Sequence, residues 1–359
     1  MKKILRIALL CVLFGSLVLP IFAGGAQDKG IEKKVGVLMP TRSLQRWNQD
    51  GDYLKTKLEA QGYEVDLQYA NNQVATQVSQ LENMVTAGSK ILVVASIDST
   101  ALKGALAEAA KAGCVIIAYD RLLMDTPNCD YYATFDNYKV GTLQGTFIVE
   151  KLGLKDGKGP YNLEVFGGSP DDNNAYLFNQ GAMDQLQPYI DKGQLVINSG
   201  QTEMSVIAIQ AWKPEGSQAR MDNLLTAFYA DKKVDVVLSP NDSLAQGIVA
   251  SLKSAGYGTA AKPFPVLTGQ DCDRINVKMM INGEQSMSVF KDTRTLAERV
   301  VTMVTELGEG KPVTVNDTES YDNNVKVVPS FLCDPVFADA NNYKALLIDT
   351  GYYTMDEIQ

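Results

Sequence analysis

Side chains able to form paired hydrogen bonds recur directly after the apolar, strand-like runs of this sequence. Arg46-Trp47 comes after Val35–Met39, and Asp120-Arg121 follows Val115–Tyr119. Phe166 leads into a polar Gly-Gly-Ser-Pro-Asp-Asp-Asn-Asn stretch at 167–174, which includes Asp172 and Asn174. Leu238 leads into a segment containing Asn241, Thr268 into one containing Asp271, and Phe290 into Lys291. A hydroxyl group donates once and accepts twice, so a carboxylate acceptor beside an amide, lysine or arginine donor saturates it. Charged partners make those bonds stronger. Gathered in one dry cleft, these groups suit a neutral ligand rich in hydroxyls. The two tryptophans, Trp47 and Trp212, both fall near these loops. A flat indole would cover the apolar C–H face of a sugar ring. Taken singly, each cluster also has an ordinary structural use: an Asp-Arg pair makes a salt bridge, and Asn241 or Asp271 can cap a helix. Repetition at strand ends along the whole chain favours a site.

Much chemistry is excluded. The 359 residues include no histidine, which removes serine-histidine-acid triads, histidine-based zinc sites and imidazole acid-base catalysis. No phosphate-binding G-x-x-x-x-G-K-[ST] loop and no D-x-[DN]-x-[DN]-G calcium loop occurs. The sequence calls for no cofactor and no metal. Lys2 and Lys3 precede an apolar run, Ile4 to Phe22, that ends in the small residues Ala23 to Ala26. This is the pattern of a secretory signal peptide spanning 1–26. Arg6 and Pro20 interrupt the run, which falls short of a clean membrane span. Cleavage removes three cations and no acid, taking the formal charge from -9 to -12. An exported protein of that charge is a poor partner for nucleic acid or anionic membranes. Four cysteines remain, and an oxidising compartment makes Cys114–Cys129 a candidate disulfide, with Cys272–Cys333 a weaker one.

Elements of the right kind surround the polar clusters. Apolar strands at 35–39, 64–69, 91–95, 115–119 and 131–134 alternate with helical patterns at 43–61, 72–87 and 99–112. The same alternation restarts with strands at 161–166, 195–199, 234–238, 266–268 and 287–290 and helices at 175–189, 219–230 and 244–255. A helix at 293–307 and the runs 325–328 and 331–332 complete the chain. Such alternation makes an α/β protein of two doubly wound, Rossmann-like lobes, with ligands bound beyond the carboxyl ends of the strands.

The segments VGVLMPTRSLQRW (35–47), VIIAYDRLL (115–123), YYATFDNYKVG (131–141), FGGSPDDNNA (166–175), QARMDNLL (218–225), LSPNDSLAQGI (238–248), TGQD (268–271) and VFKDTR (289–294) carry a more specific signal. With them the chain resembles the type I periplasmic sugar-binding proteins of ABC importers, and most closely the multiple-monosaccharide receptors related to the xylose-binding proteins. The resemblance implies a monomer without enzymatic activity that works in the periplasm, free or membrane-tethered. Such a receptor captures a monosaccharide by hinge closure and delivers it to an ABC permease, and also to a chemoreceptor or sensor-kinase periplasmic domain. It implies that Arg46, Asp120 and Arg121 bind from one lobe and Asp172, Asn174, Asn241, Asp271 and Lys291 from the other, with Trp47 and Trp212 stacking. The ribose-binding branch carries glutamine where this chain has Lys291, and aromatics where it has Arg46-Trp47; a pyranose aldose such as glucose, galactose, arabinose or xylose is therefore expected. The lobes would comprise 34–137 plus 292–328 and 138–291 plus 329–359, with crossings near Asn137, Asp292 and Val328. Three alternatives remain at this point: the same fold holding a nucleoside or signalling furanose, an exported sugar hydrolase using Asp120, Asp172 and Asp271, and a repressor's effector domain.

Overall fold

The computed structural model describes residues 33–358. The signal-peptide reading of residues 1–26 lies outside them. Among the described residues, no helix is long and apolar enough to cross a membrane.

The first lobe contains β1 (Lys34–Met39), α1 (Gln45–Ala60), β2 (Glu64–Tyr69), α2 (Val74–Thr86), β3 (Ile91–Val94), α3 (Lys103–Lys111), β4 (Val115–Tyr119) and β5 (Tyr131–Phe135). Successive strand residues point to opposite faces, and here both faces are buried. Val35, Val37 and Met39 join Ile91, Val93, Ile117 and Tyr119 in one core, whereas Leu38, Leu92, Val94, Ile116 and Ala118 belong to the other. All pairings in this sheet are parallel, in the order β5-β4-β3-β1-β2, with β11 (Ser330–Cys333) added on the far side of β5.

The second lobe follows with α4 (Asn137–Leu152), β6 (Tyr161–Val165), α5 (Asn173–Asp191), β7 (Leu195–Val196), the short α6 (Met204–Ile207), α7 (Pro214–Phe228), β8 (Val236–Leu238), α8 (Asp242–Ser254), β9 (Val266–Leu267), α9 (Arg274–Ile281) and β10 (Met287–Phe290). Its parallel strands run β7-β6-β8-β9, and a single bridge from Gln270 to Val289 continues them onto β10. Helix α10 (Thr293–Gly308) returns to pack on α1, contributing Leu296, Val300, Val301 and Val304 to the first lobe's core.

The end of the chain departs from expectation. β11 (Ser330–Cys333) pairs in parallel with Tyr132–Phe135, and β12 (Val336–Asp339) pairs antiparallel with β10. The third crossing therefore lies between Cys333 and Val336 instead of near Val328, because residues 330–333 complete the first lobe's sheet. The run 325–328 is no strand; it carries one isolated bridge, between Asp322 and Val327. Helix α7 begins five residues before the expected start, at Pro214, where a proline's fixed φ suits the first helical turn. All four described cysteines are free and buried. Cys114 Sγ donates to the Ser89 carbonyl (3.2 Å) and Cys129 Sγ faces Tyr131 O (3.6 Å), while Cys272 and Cys333 sit in different cores. The anticipated disulfides are absent among the described residues.

Helix α4 has no counterpart in the sequence reading because Gly141 and Gly145 break its pattern. Those glycines serve packing. A Cβ on Gly141 would collide with the Phe178 carbonyl of α5, and one on Gly181 with the Tyr138 carbonyl of α4. Both obstacles are backbone and cannot swing away. Gly181→Ala is therefore expected to cost about 2–3 kcal/mol by overpacking, measured as a fall in the urea midpoint with the slope unchanged.

Candidate functional site

The polar clusters stand beyond strand ends, and together they line a small cavity of about 30 Å³ between the lobes. All ten residues singled out in the sequence line it: Arg46, Trp47, Asp120, Arg121, Asp172, Asn174, Trp212, Asn241, Asp271 and Lys291. Leu44, Phe178 and Gln270 complete the lining and were not foreseen. Gln270 lies inside the TGQD segment, and Phe178 stands one helical turn after Asn174 on the same face of α5. Both were therefore within reach of the sequence.

Three cations and three carboxylates interlock here, none with a side chain more than 10% exposed. Arg46 Nη1 lies 2.9 Å from Asp120 Oδ2 and 3.4 Å from Asp271 Oδ1. Its Nε and Nη2 hold Asp50 Oδ2 at 3.2 and 3.1 Å, one turn along α1. Lys291 Nζ approaches Asp271 at 3.1 Å and Asp120 at 3.8 Å; Arg121 Nε reaches Asp172 at 2.9 Å. Burial alone would raise the Asp120 carboxyl, but Arg46, Lys291 and Arg121 outweigh it and hold it below the usual range. At Asp172 burial prevails over Arg121 and pushes the carboxyl up.

Local structure fixes each group. Asp120 adopts φ 59°, a left-handed backbone that a non-glycine residue holds only when its surroundings over-determine it. Here its N–H donates to Ala133 O, and its carbonyl accepts from Tyr132, Thr134 and Asn174. Asp172 caps α5 through Oδ1 and accepts from Trp212 Nε1 (3.2 Å) through Oδ2. Gly168 makes room for that indole, since a Cβ there would strike the Trp212 ring. Trp47 carries the Arg46 and Arg121 guanidinium groups 4.5 and 5.1 Å from its ring. Asn241 caps α8 through Oδ1, leaving its amide nitrogen without a partner among the described residues.

Asn174 differs from the rest. Its Oδ1 accepts from Tyr132 (3.1 Å) and Asn137 (3.0 Å), and its Nδ2 donates to Asp120 O (2.6 Å). The amide thus joins the lobes and has little left for a ligand. By contrast, Asp120 Oδ1 and Gln270 Oε1 are buried acceptors without a hydrogen bond among the described residues. The charged side chains lining the cavity balance to zero formal charge, and buried hydrogen-bonding groups there are left unused. Such a site takes an uncharged molecule bearing hydroxyls.

Beyond the cavity wall, Asp242 accepts from Gln285 Nε2, Ser288 Oγ and the Asp273 N–H. Burial, followed by the charge of Asp273, pushes Asp242 well above its ordinary value. Burial with Asp271 beside it pushes Asp273 up to about 7, against the pull of Arg46, Lys291 and Arg274.

Residues 35–312 match the family described as periplasmic binding protein domain. The chain is 53% identical over 342 residues to the multiple sugar-binding periplasmic receptor ChvE of Rhizobium radiobacter, covering 95% of each. It is 35% identical to the D-xylose-binding periplasmic protein of Escherichia coli, covering 91% of this chain and 93% of that one. An ABC transporter solute-binding protein of Clostridium phytofermentans, crystallised with β-D-glucose, superposes with a TM-score of 0.88 at 55% identity, covering 91% and 100% of the two chains.

An unfolded aspartate titrates near roughly 3.9. Between that value and 7 the folded protein binds more protons at Asp273 than the unfolded chain does. Stability from this group is therefore highest in acid and falls as the pH rises. Asp273→Asn should stabilise the protein by about 1–2 kcal/mol at pH 8 and leave it unchanged at pH 4. Urea titrations at both pH values measure this, and an equal gain at both would assign the effect to packing.

Proposed function

We propose that this chain, which belongs to the periplasmic binding protein family, is an exported receptor that captures an aldopyranose and delivers it to an ABC permease. The observation that carries the reading is the charge-balanced buried cleft whose acceptors at Asp120 Oδ1 and Gln270 Oε1 are unspent. Hydroxyl donors of a sugar complete them, and the cation–carboxylate network supplies donors in return. Trp47 and Trp212 flank the ring. A ligand touching both lobes binds only when they meet, so it shifts the population toward closure. The closed form is what the permease, or the periplasmic domain of a chemoreceptor or sensor kinase, reads. The first lobe supplies Arg46, Asp120 and Arg121, and the second supplies Asp172, Asn241, Asp271 and Lys291.

No enzymatic role is assigned. A glycosidase needs a carboxylic acid with its proton available to a leaving group. Asp120 is held ionised by three cations, and both oxygens of Asp172 are already accepting hydrogen bonds.

Thermal-shift and calorimetric titration of the chain from residue 27 onward, against aldopentoses, aldohexoses and nucleosides, tests the assignment. A ligand that binds only the native state raises the melting temperature as RT ln(1 + [L]/Kd). Glucose, galactose, arabinose or xylose should do so. Asp120→Ala or Lys291→Ala should weaken binding at least about 100-fold, because each strands a buried charge. A shift with a nucleoside and with no aldose would overturn the ligand assignment.

A further inference from the structure

The C-terminal tail makes a second junction between the lobes, outside the cavity. Residues 343–358 fold onto the second lobe, where Tyr343, Leu347, Tyr353 and Ile358 share a core with Cys272, Val277 and Phe290. Tyr353 is one of the largest fully buried side chains, and its N–H donates to Leu347 O at 2.8 Å. Yet its hydroxyl is reached from the other lobe: Gln45 Nε2 donates to it at 2.6 Å and Gln49 Nε2 at 3.4 Å. The other end of the Gln45 amide accepts the Arg274 N–H at 3.2 Å, at the start of α9. Tyr352, stacked edge-on against Tyr353 with ring centroids 4.6 Å apart, directs its hydroxyl to Gln49 Oε1 and Thr293. Arg274 lies over the Tyr353 ring and pairs with Glu357 further along the tail.

Gln45 and Gln49 flank Arg46 and Trp47 on the first turns of α1. Neither Gln45 nor Tyr353 lines the cavity. We infer that Tyr353 and the α9 N-terminus form a socket for Gln45 that holds the ligand-binding helix in its closed position. On the sugar-receptor reading, Gln45 and Tyr353 are then positioning residues: they set affinity for every ligand by one common factor and leave selectivity alone. The physical reason is linkage. A contact made only in the closed form, and blind to the ligand, changes the population of the binding-competent state, which divides every intrinsic affinity equally. Cavity residues such as Lys291 meet particular hydroxyls and change the ratio between sugars.

The test is calorimetric titration of two aldoses that wild type binds, using Gln45→Ala, Tyr353→Phe, the double variant and Lys291→Ala. Small-angle scattering of each ligand-free protein accompanies it. Each single latch variant should weaken both sugars about three- to tenfold, as expected for one buried hydrogen bond, with their ratio unchanged. The double variant should lose less than the product of the two single losses, since both singles remove the Gln45–Tyr353 bond and each removes one further bond of its own. Ligand-free Gln45→Ala should show a larger radius of gyration than wild type, which a merely destabilised but equally closed protein would not. Unchanged affinities, or a shifted sugar ratio, would overturn the inference. If wild type binds no sugar, the ligand reading fails, and the scattering comparison still decides the latch: an unchanged radius sinks it.

Discussion

The cleft is organised around one buried guanidinium. Arg46 touches Asp50 behind it, Asp120 on its own lobe and Asp271 across the gap. Taking a cation out of water costs several kcal/mol, recovered only when good geometry and further hydrogen bonds satisfy it. Burial would release the Arg46 proton, but Asp120, Asp50 and Asp271 hold it well above its ordinary value. The planar fork of arginine can serve three carboxylates at once, which the point charge of a lysine cannot. Asp50 bears part of the strain: burial lifts it to about 6 although Arg46 and the Tyr119 hydroxyl pull it down.

A network with this balance has a consequence for the ligand. Three cations already meet three carboxylates in the cavity, so a charged guest would leave one partner uncompensated in a low-dielectric space. A polyol brings no charge, yet it offers a donor to each unspent acceptor and two lone pairs to each cation. Removing one hydroxyl strands a buried group at roughly 1–3 kcal/mol, so discrimination follows from incompleteness as much as from shape.

The polar clusters could be read from sequence because each lies within a few residues of a strand end, and strand ends are easy to find in a parallel sheet. Arg46, Asp120, Asp172, Asn241, Asp271 and Lys291 were legible for that reason. Three-dimensional facts with no local signature were not. Asn174 has the residue type of a ligand contact, but its amide is used by Tyr132, Asn137 and the Asp120 carbonyl, all distant in sequence. Cys114 and Cys129 precede neighbouring strands and invite pairing, yet each thiol faces a different carbonyl. Helix α4 was hidden by glycines whose purpose is contact with α5. The third crossing was misplaced because Ser330–Cys333 finds its partner nearly two hundred residues earlier, at Tyr132–Phe135.

The chain passes between the two sheets through matched backbone. The chain leaves the first lobe through Asp136 and returns through Asp292, and the two share nearly one conformation: φ -64°, ψ 99° and φ -64°, ψ 102°. Each caps the helix it begins, Asp136 accepting from Lys139 N and Asp292 from Arg294 N. A side-chain cap satisfies an otherwise unpaired N–H where each of these helices begins. The short link from Cys333 to Val336 is a third passage between the two sheets. Hinges of this kind need only a few residues at element ends. Closure can then be a rigid-body event, with the α1 helix carrying Arg46 toward Asp271 as one piece, and the free energy of that meeting decides how long the ligand stays.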